Sequence, residues 1–231
     1  FVYTAKYEFW CQLSMYTTED NMHVCHEGDT LYFFRTDKSI HTYEIGTKRG
    51  PMKIEQTHQI PTYSLKVLNG FVRNGEMQVF TPDEYHMYNE NSSSTVSFMR
   101  QFGVEVYSRV CLYNNKFYTI VRNKDQLCFL ARFNRTLTKV KLMDLTEIAS
   151  DVTSVEFDNG YALVRRQFDF LLICLESEKK LGLLHLPHVE IFHTVRVMEG
   201  GKKVCLQGWK EAMVMDVILK AQYGRECRRA M

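Results

Sequence analysis

Asn114-Asn-Lys-Phe-Tyr-Thr-Ile-Val-Arg122 is the stretch on which the fold turns. It opens with two asparagines, which tolerate the positive φ that a tight hairpin demands. Aromatic and β-branched residues follow, the composition of an extended strand. A cation ends the run. Four other segments align with it: Glu27-Gly-Asp-Thr-Leu-Tyr-Phe-Phe-Arg35, Asn74-Gly-Glu-Met-Gln-Val-Phe-Thr81, Asp158-Asn-Gly-Tyr-Ala-Leu-Val-Arg165 and Gly200-Gly-Lys-Lys-Val-Cys-Leu-Gln207. Measured at their last residues, the steps are 46, 41, 43 and 42.

The surroundings repeat as well. An apolar anchor precedes each turn: Val24, Val72, Val110, Val155 and Val197. A second polar turn follows each strand, and a third strand follows that turn: Ser39 to Ile45, Glu84 to Tyr88, Leu127 to Phe133, Phe170 to Leu175 and Ala212 to Ile218. Four repeats offer a fourth strand, at Met52 to Thr57, Val96 to Phe102, Lys139 to Leu145 and Leu181 to Leu186.

Four antiparallel strands in about 40–45 residues resemble one blade of a β-propeller. The resemblance is to the propeller superfamily, with WD40- or kelch-like architecture, and covers nearly all of the chain. The Gly-His and Trp-Asp signatures of WD40 repeats and a regular kelch Gly-Gly doublet are missing, so no family within the class is named. It implies an all-β chain, residues 1–231 forming a single propeller domain of five blades. Residues 219–231 are read as a short C-terminal helix or tail. Phe9 to Tyr16 is expected to supply the strand that the last repeat lacks, because closure removes unpaired edges. A fragment of a larger propeller and a β-sandwich stay open as alternatives.

Composition narrows the function classes. Twenty-nine Lys and Arg against 27 Asp and Glu leave a net charge of +2. A binder held to nucleic acid by charge alone carries a larger basic excess. With 45% hydrophobic residues, the sequence is that of a folded chain rather than a disordered one. No apolar stretch reaches transmembrane length, and no signal-peptide core is visible. The missing initiator Met suggests an excised domain or a processed form. Seven cysteines without a Cys-x-x-Cys pair, most of them within apolar runs, read as reduced core thiols of an intracellular protein, cytoplasmic or nuclear.

No catalytic motif stands out. There is no nucleophile elbow, P-loop or dinucleotide fingerprint, and no cofactor or metal is expected. His185, His188, Glu190 and His193 cluster, but Pro187 bends the segment and strand alternation separates them. His23, Cys25 and His26 lack a second ligand pair. Some propellers cleave glycosides with carboxylates around a central channel. Here Asp37, Asp83, Asp125 and Asp169 fall in hairpin turns, and Glu105 and Glu156 are the inner acids.

In a propeller the turns between second and third strands open on one face. That face would gather Arg35, Lys38, Arg122, Lys124, Arg165, Arg166 and Lys210 with Phe168 and Trp209. Arg and Trp are frequent binding hot spots, and Arg grips carboxylates through a planar fork. The expectation is a non-catalytic protein–protein interaction platform, a scaffold or adaptor whose partner presents an acidic segment. An RNA-associated module and a sugar-binding or glycoside-cleaving propeller are the alternatives, and no membrane partner is expected. The aromatic runs Leu31 to Phe34, Phe117-Tyr118 and Phe168 to Phe170 are read as core.

Overall fold

Tight turns set the architecture. Asn74-Gly75, Asn114-Asn115 and Asn159-Gly160 all hold both central residues at positive φ, the geometry that matches the twist of a two-residue hairpin. The computed structural model describes residues 2–3, 9–11, 23–35, 38–44, 56–60, 66–89, 92–145, 152, 154–166, 169–185, 192–208 and 212–219. The chain divides into two compact units, Phe1–Val106 and Tyr107–Met231.

In the first unit, β1 (Val2–Tyr3) pairs with β2 (Phe9–Cys11). The segment expected to complete the last repeat therefore contributes β2 to a hairpin with β1, and its residues from 12 to 16 lie outside the described residues. The first sheet runs β3 (His23–Glu27), β4 (Thr30–Phe34), β5 (Ser39–Glu44) and β6 (Gln56–Gln59), neighbours pairing antiparallel. The second runs β7 (Asn69–Arg73), β8 (Glu76–Phe80), β9 (Glu84–Tyr88) and β10 (Ser93–Ser97). Phe34, Ile40 and Val79 fill the space between these sheets, with Cys25, Tyr32, Met77 and Tyr88 around them.

The expected strand from Val96 to Phe102 is corrected here. It ends at Ser97, and α1 (Phe98–Phe102) follows. The Ser97 hydroxyl accepts the Arg100 N–H, and Gly103 closes the helix at φ 69°. β11 (Val104–Val106) ends the unit.

In the second unit, the third sheet holds β12 (Cys111–Tyr113), β13 (Lys116–Asn123), β14 (Cys128–Asn134) and β15 (Val140–Asp144). The fourth holds β16 (Ser154–Asp158), β17 (Tyr161–Arg166), β18 (Asp169–Cys174) and β19 (Lys179–His185). The fifth has three strands among the described residues, β20 (Phe192–Met198), β21 (Lys203–Gly208) and β22 (Ala212–Asp216). The strand expected from Ala212 to Ile218 breaks at Val217. β23 (Ile218–Leu219) then pairs with β19 of the fourth sheet. Beyond Leu219, the segment expected to be a helix or tail lies outside the described residues.

One core joins the third and fourth sheets through Tyr118, Ile120 and Leu130 against Val164, Leu171 and Ile173. A second joins the fourth and fifth through Leu163, Phe170 and Leu172 against Val197, Val204 and Leu206. Burying each of these side chains stabilises the fold by about 1.5–3 kcal/mol. Phe33, Phe34, Phe117, Tyr118 and Phe170 are all buried, as the core reading of the aromatic runs requires.

The turns at the β3–β4, β12–β13 and β16–β17 ends are tied to the next sheet. The Glu27 carboxylate accepts the N–H groups of Asn74 and Gly75. The Tyr113 ring lies over Gly160. The Asp158 carboxylate accepts the Val197 N–H at 2.7 Å and pairs with Arg196 at 2.9 Å. These links hold corresponding ends of successive sheets side by side.

Candidate functional site

Because the ends correspond, the β13–β14 and β17–β18 turns emerge together at the opposite end of the second unit. Arg122 comes just before the first of these turns and Lys124 lies in it, and Arg165 and Arg166 end the strand before the second. Arg122 pairs in register with Cys128, Arg165 with Phe170 and Arg166 with Asp169. The structure thus brings four of the expected basic residues to one end of one unit. Arg35 and Lys38 belong to the first unit, where they close the β4–β5 turn: the Arg35 N–H donates to Ser39 at 2.9 Å, and Lys38 takes a left-handed φ of 68°. Trp209, Lys210 and Phe168 lie outside the described residues.

The β13–β14 turn is built rigidly. The Asn123 side-chain oxygen accepts the N–H groups of Asp125 at 3.0 Å and Leu127 at 2.9 Å, an Asx-type clamp. Gln126 adds a left-handed residue at φ 63°. Leu127, expected to begin the third strand, instead sits in the turn and is 49% exposed.

Arg122 is not a freely solvated cation. Its guanidinium lies 3.5 Å above the Tyr107 ring centre, and Tyr107 is itself 40% exposed. A stacked guanidinium keeps its hydrogen-bonding edge available while the ring limits its motion, and the pair contributes about 0.5–1 kcal/mol, rising when desolvated. Tyr107 lies in the irregular stretch before β12, where its N–H donates to the Ile120 carbonyl at 2.8 Å. The Ser108 hydroxyl accepts the Ile120 N–H, and the Thr119 hydroxyl donates to the Ser108 carbonyl. Arg165 lies over Phe170, 5.4 Å from the ring centre, and is half-buried.

Sequence reasoning missed Tyr107 and Leu127. Leu127 left a trace: it is the apolar residue in Asn123-Lys-Asp-Gln-Leu127. Tyr107 left none, since the irregular stretch that carries it, Tyr107-Ser-Arg-Val110, has no turn signature. Exposed Arg109 adds positive charge near Glu156, whose partial burial raises its carboxyl pKa against the pull of that cation. Of the other acids, Asp125 is exposed beside Lys124, and Asp37 lies outside the described residues.

The histidine-bearing segments are described only in part. His185 ends β19 and His193 lies in β20, while His188 and Glu190 fall outside the described residues. His23 packs against the rings of Phe34 and Phe71, 6.3 and 5.9 Å away, and His26 is exposed. The thiols of Cys25 and Cys111 are pushed up to about 11 by burial. Cys25, Cys111, Cys128, Cys174 and Cys205 are all free thiols.

Three solved structures resemble this arrangement. Hsv2 of Kluyveromyces lactis superposes with a TM-score of 0.56 at 12% identity, over 88% of this chain and 63% of that one. Sqt1 of Saccharomyces cerevisiae gives 0.53 at 12%, over 81% and 55%. The computationally designed Ika8 protein gives 0.53 at 11%, over 93% and 63%. The fold is a β-propeller. Its antiparallel sheets correspond to blades, and the chain spans less than two thirds of the length of each of these three proteins. At such identities the likeness concerns the fold alone. No protein-family description and no curated protein sequence matches the chain. Among the described residues no helix is long and apolar enough to cross a membrane.

Proposed function

We propose that this propeller is a non-catalytic platform for protein–protein recognition within an intracellular assembly. Its contact surface is the turn end of the third and fourth blades, with Arg122, Lys124, Arg165 and Arg166 around Tyr107 and Leu127. The partner is a protein segment rich in Asp and Glu with an apolar residue among them. The observation that supports this most directly is the Arg122–Tyr107 stack, 3.5 Å apart, beside a leucine that a side-chain clamp holds half out of the surface. Arg and Tyr recur at binding hot spots because they give large contacts at low entropic cost. The free thiols suit a reducing compartment.

The test is affinity capture from a cell lysate with the wild-type protein and with a Lys124→Glu/Leu127→Asp variant. Both altered side chains are exposed, so the variant should fold. Captures run at ~100 and ~500 mM salt, which shorten the screening length from about 10 Å to a few Å, with and without RNase. The expected result is a set of proteins that survives RNase and that the variant loses. Equal capture by a folded variant overturns the proposal. Recovery of RNA that vanishes at high salt replaces it with a nucleic-acid module.

A further inference from the structure

The second blade holds an exposed hydroxyl, a buried imidazole and a carboxylate in one line. The Thr95 hydroxyl lies 3.1 Å from Nδ1 of His86, and Nε2 of His86 lies 3.2 Å from the Glu84 carboxylate. Backbone pairing explains the alignment. The Asn89 N–H donates to the Ser92 carbonyl and the Phe98 N–H to the Asp83 carbonyl, both at 2.9 Å, at the two ends of the β9–β10 pair. Alternation between these ends leaves Thr95 and His86 opposite each other as a non-hydrogen-bonded pair, the kind in which side chains approach most closely. Glu84, two residues before His86 on β9, shares its face. The same alternation turns the Thr95 N–H away from β9.

Each group suits a role in acyl transfer. A carboxylate beside Nε2 draws the ring proton there and leaves the Nδ1 lone pair for the Thr95 O–H. Burial lowers the His86 pKa, with Glu84 opposing, so the ring is neutral at neutral pH and can take up a proton. Nucleophile, base and orienting acid are recognised by such geometry, whatever their order in the chain. The Thr95 N–H is a donor next to Oγ1 for the negative oxygen of a tetrahedral intermediate. Thr95 is exposed, and its neighbours Ser93 and Ser94 are small and exposed as well. Among the described residues, β10 is the outermost strand of its sheet.

We infer that Thr95 is an acylation site, which accepts an acyl group from an uncharged activated donor, an ester or a thioester. Thr95 Oγ1 attacks the carbonyl carbon of the donor while Nδ1 of His86 takes the hydroxyl proton. The tetrahedral intermediate then collapses, the bond to the donor's alcohol or thiol breaks, and that group leaves with the proton from His86. Thr95 is left as an ester. An uncharged donor fits because Glu84 already places negative charge in the site, whereas phosphoryl transfer relies on cations to offset the charge of its donor. Thr95 belongs to the first unit, and Tyr107, Arg122 and Leu127 of the proposed contact surface belong to the second, so either reading can fail without the other.

Treatment of the full chain with p-nitrophenyl acetate tests this. Its leaving group departs as a coloured anion, and the proton passes to solvent. The expected result is a burst of nitrophenolate equal to the protein concentration, with an acetyl group on Thr95 in peptide mass mapping. Thr95→Val keeps the branched shape of an exposed strand residue and should lose both the burst and the acetyl group, whereas Thr95→Ser should keep them. His86→Gln should slow the burst on the order of 10²-fold, the contribution of a positioned base. If that variant does not fold, the two Thr95 variants decide. The absence of acetyl on Thr95 in the wild type, or an unchanged burst from folded Thr95→Val, overturns the inference.

Discussion

The Glu27 carboxylate accepts the backbone N–H groups of both residues of the Asn74-Gly75 turn, 47 and 48 positions further along the chain. Asp158 does the equivalent for Val197, 39 positions on, and is buried to 7% exposure where Glu27 is more open. A charge-assisted bond to a backbone N–H contributes about 1.5–3 kcal/mol. Asp158→Ala should therefore lower the unfolding free energy by about 2 kcal/mol, and Glu27→Ala by about half as much. Urea titrations followed by circular dichroism measure both. Equal, negligible effects would show that the links form without holding the blades.

Gly160 and Gly75 test steric fit against backbone conformation. Both have positive φ, +81° and +72°. A Cβ at Gly160 would sit 2.7 Å from the Tyr113 ring, whereas one at Gly75 meets nothing within 4 Å. Gly75→Ala should cost about 1 kcal/mol, the conformational part alone. Gly160→Ala should cost about 2–4 kcal/mol, because an inter-blade contact must also open. In a Tyr113→Ala background the extra cost should disappear, which a double-mutant cycle measures directly.

His86 makes the first unit sensitive to acid. It is 2% exposed, its Nδ1 lies 3.1 Å from the Thr95 hydroxyl, and its Nε2 lies 3.2 Å from Glu84. Burial lowers its pKa, and Glu84 opposes that shift in part. In the pH range between the lowered folded value and the unfolded value near 6.5, the unfolded chain holds more protons. The contribution of His86 to stability is therefore complete above about pH 6.5 and is lost as the pH falls below it. Stability measured from pH 8 to pH 5 should decline more steeply for the wild type than for His86→Gln. Parallel curves would assign the decline to other groups.

The described thiols should differ in reactivity at neutral pH. Burial pushes Cys25 and Cys111 up to about 11, which leaves very little thiolate. Cys174 is shifted down instead: burial acts against the shift, but hydrogen bonds from the Ser177 hydroxyl and from the Ser177 and Glu176 N–H groups outweigh it. Brief treatment with iodoacetamide followed by peptide mass mapping should label Cys174 ahead of Cys25, Cys111 and buried Cys128. Preferential labelling of Cys111 would contradict this ordering.

The repeat was legible because its determinants are local. The Asn74-Gly75, Asn114-Asn115 and Asn159-Gly160 pairs announce their positive φ, and the strands between them follow from alternation, whereas Asn69-Gly70 lies inside β7. Val96-Ser-Phe-Met-Arg-Gln-Phe102 misled because its apolar residues suit a strand as well as a short helix; Ser97 and Gly103, the two caps, were the arbitrating signals. The candidate surface was legible only in part. Arg122, Lys124, Arg165 and Arg166 follow from turn register, but the stack of Arg122 on Tyr107 depends on an irregular stretch paired to β13 that brings together residues 15 apart. The links from Glu27 and Asp158 span a whole repeat, and nothing local distinguishes those acids from solvated turn residues.

β23 leaves the fifth blade and lies along the outer edge of the fourth, pairing Ile218 with Leu183 and Leu219 with Gly182. The two blades are thus cross-stitched by the same chain segment, in addition to their shared core. A blade so fastened cannot come loose and leave its neighbour intact. Its amides should exchange with solvent in step with those of the neighbour, as one cooperative block rather than as two units of a melting array.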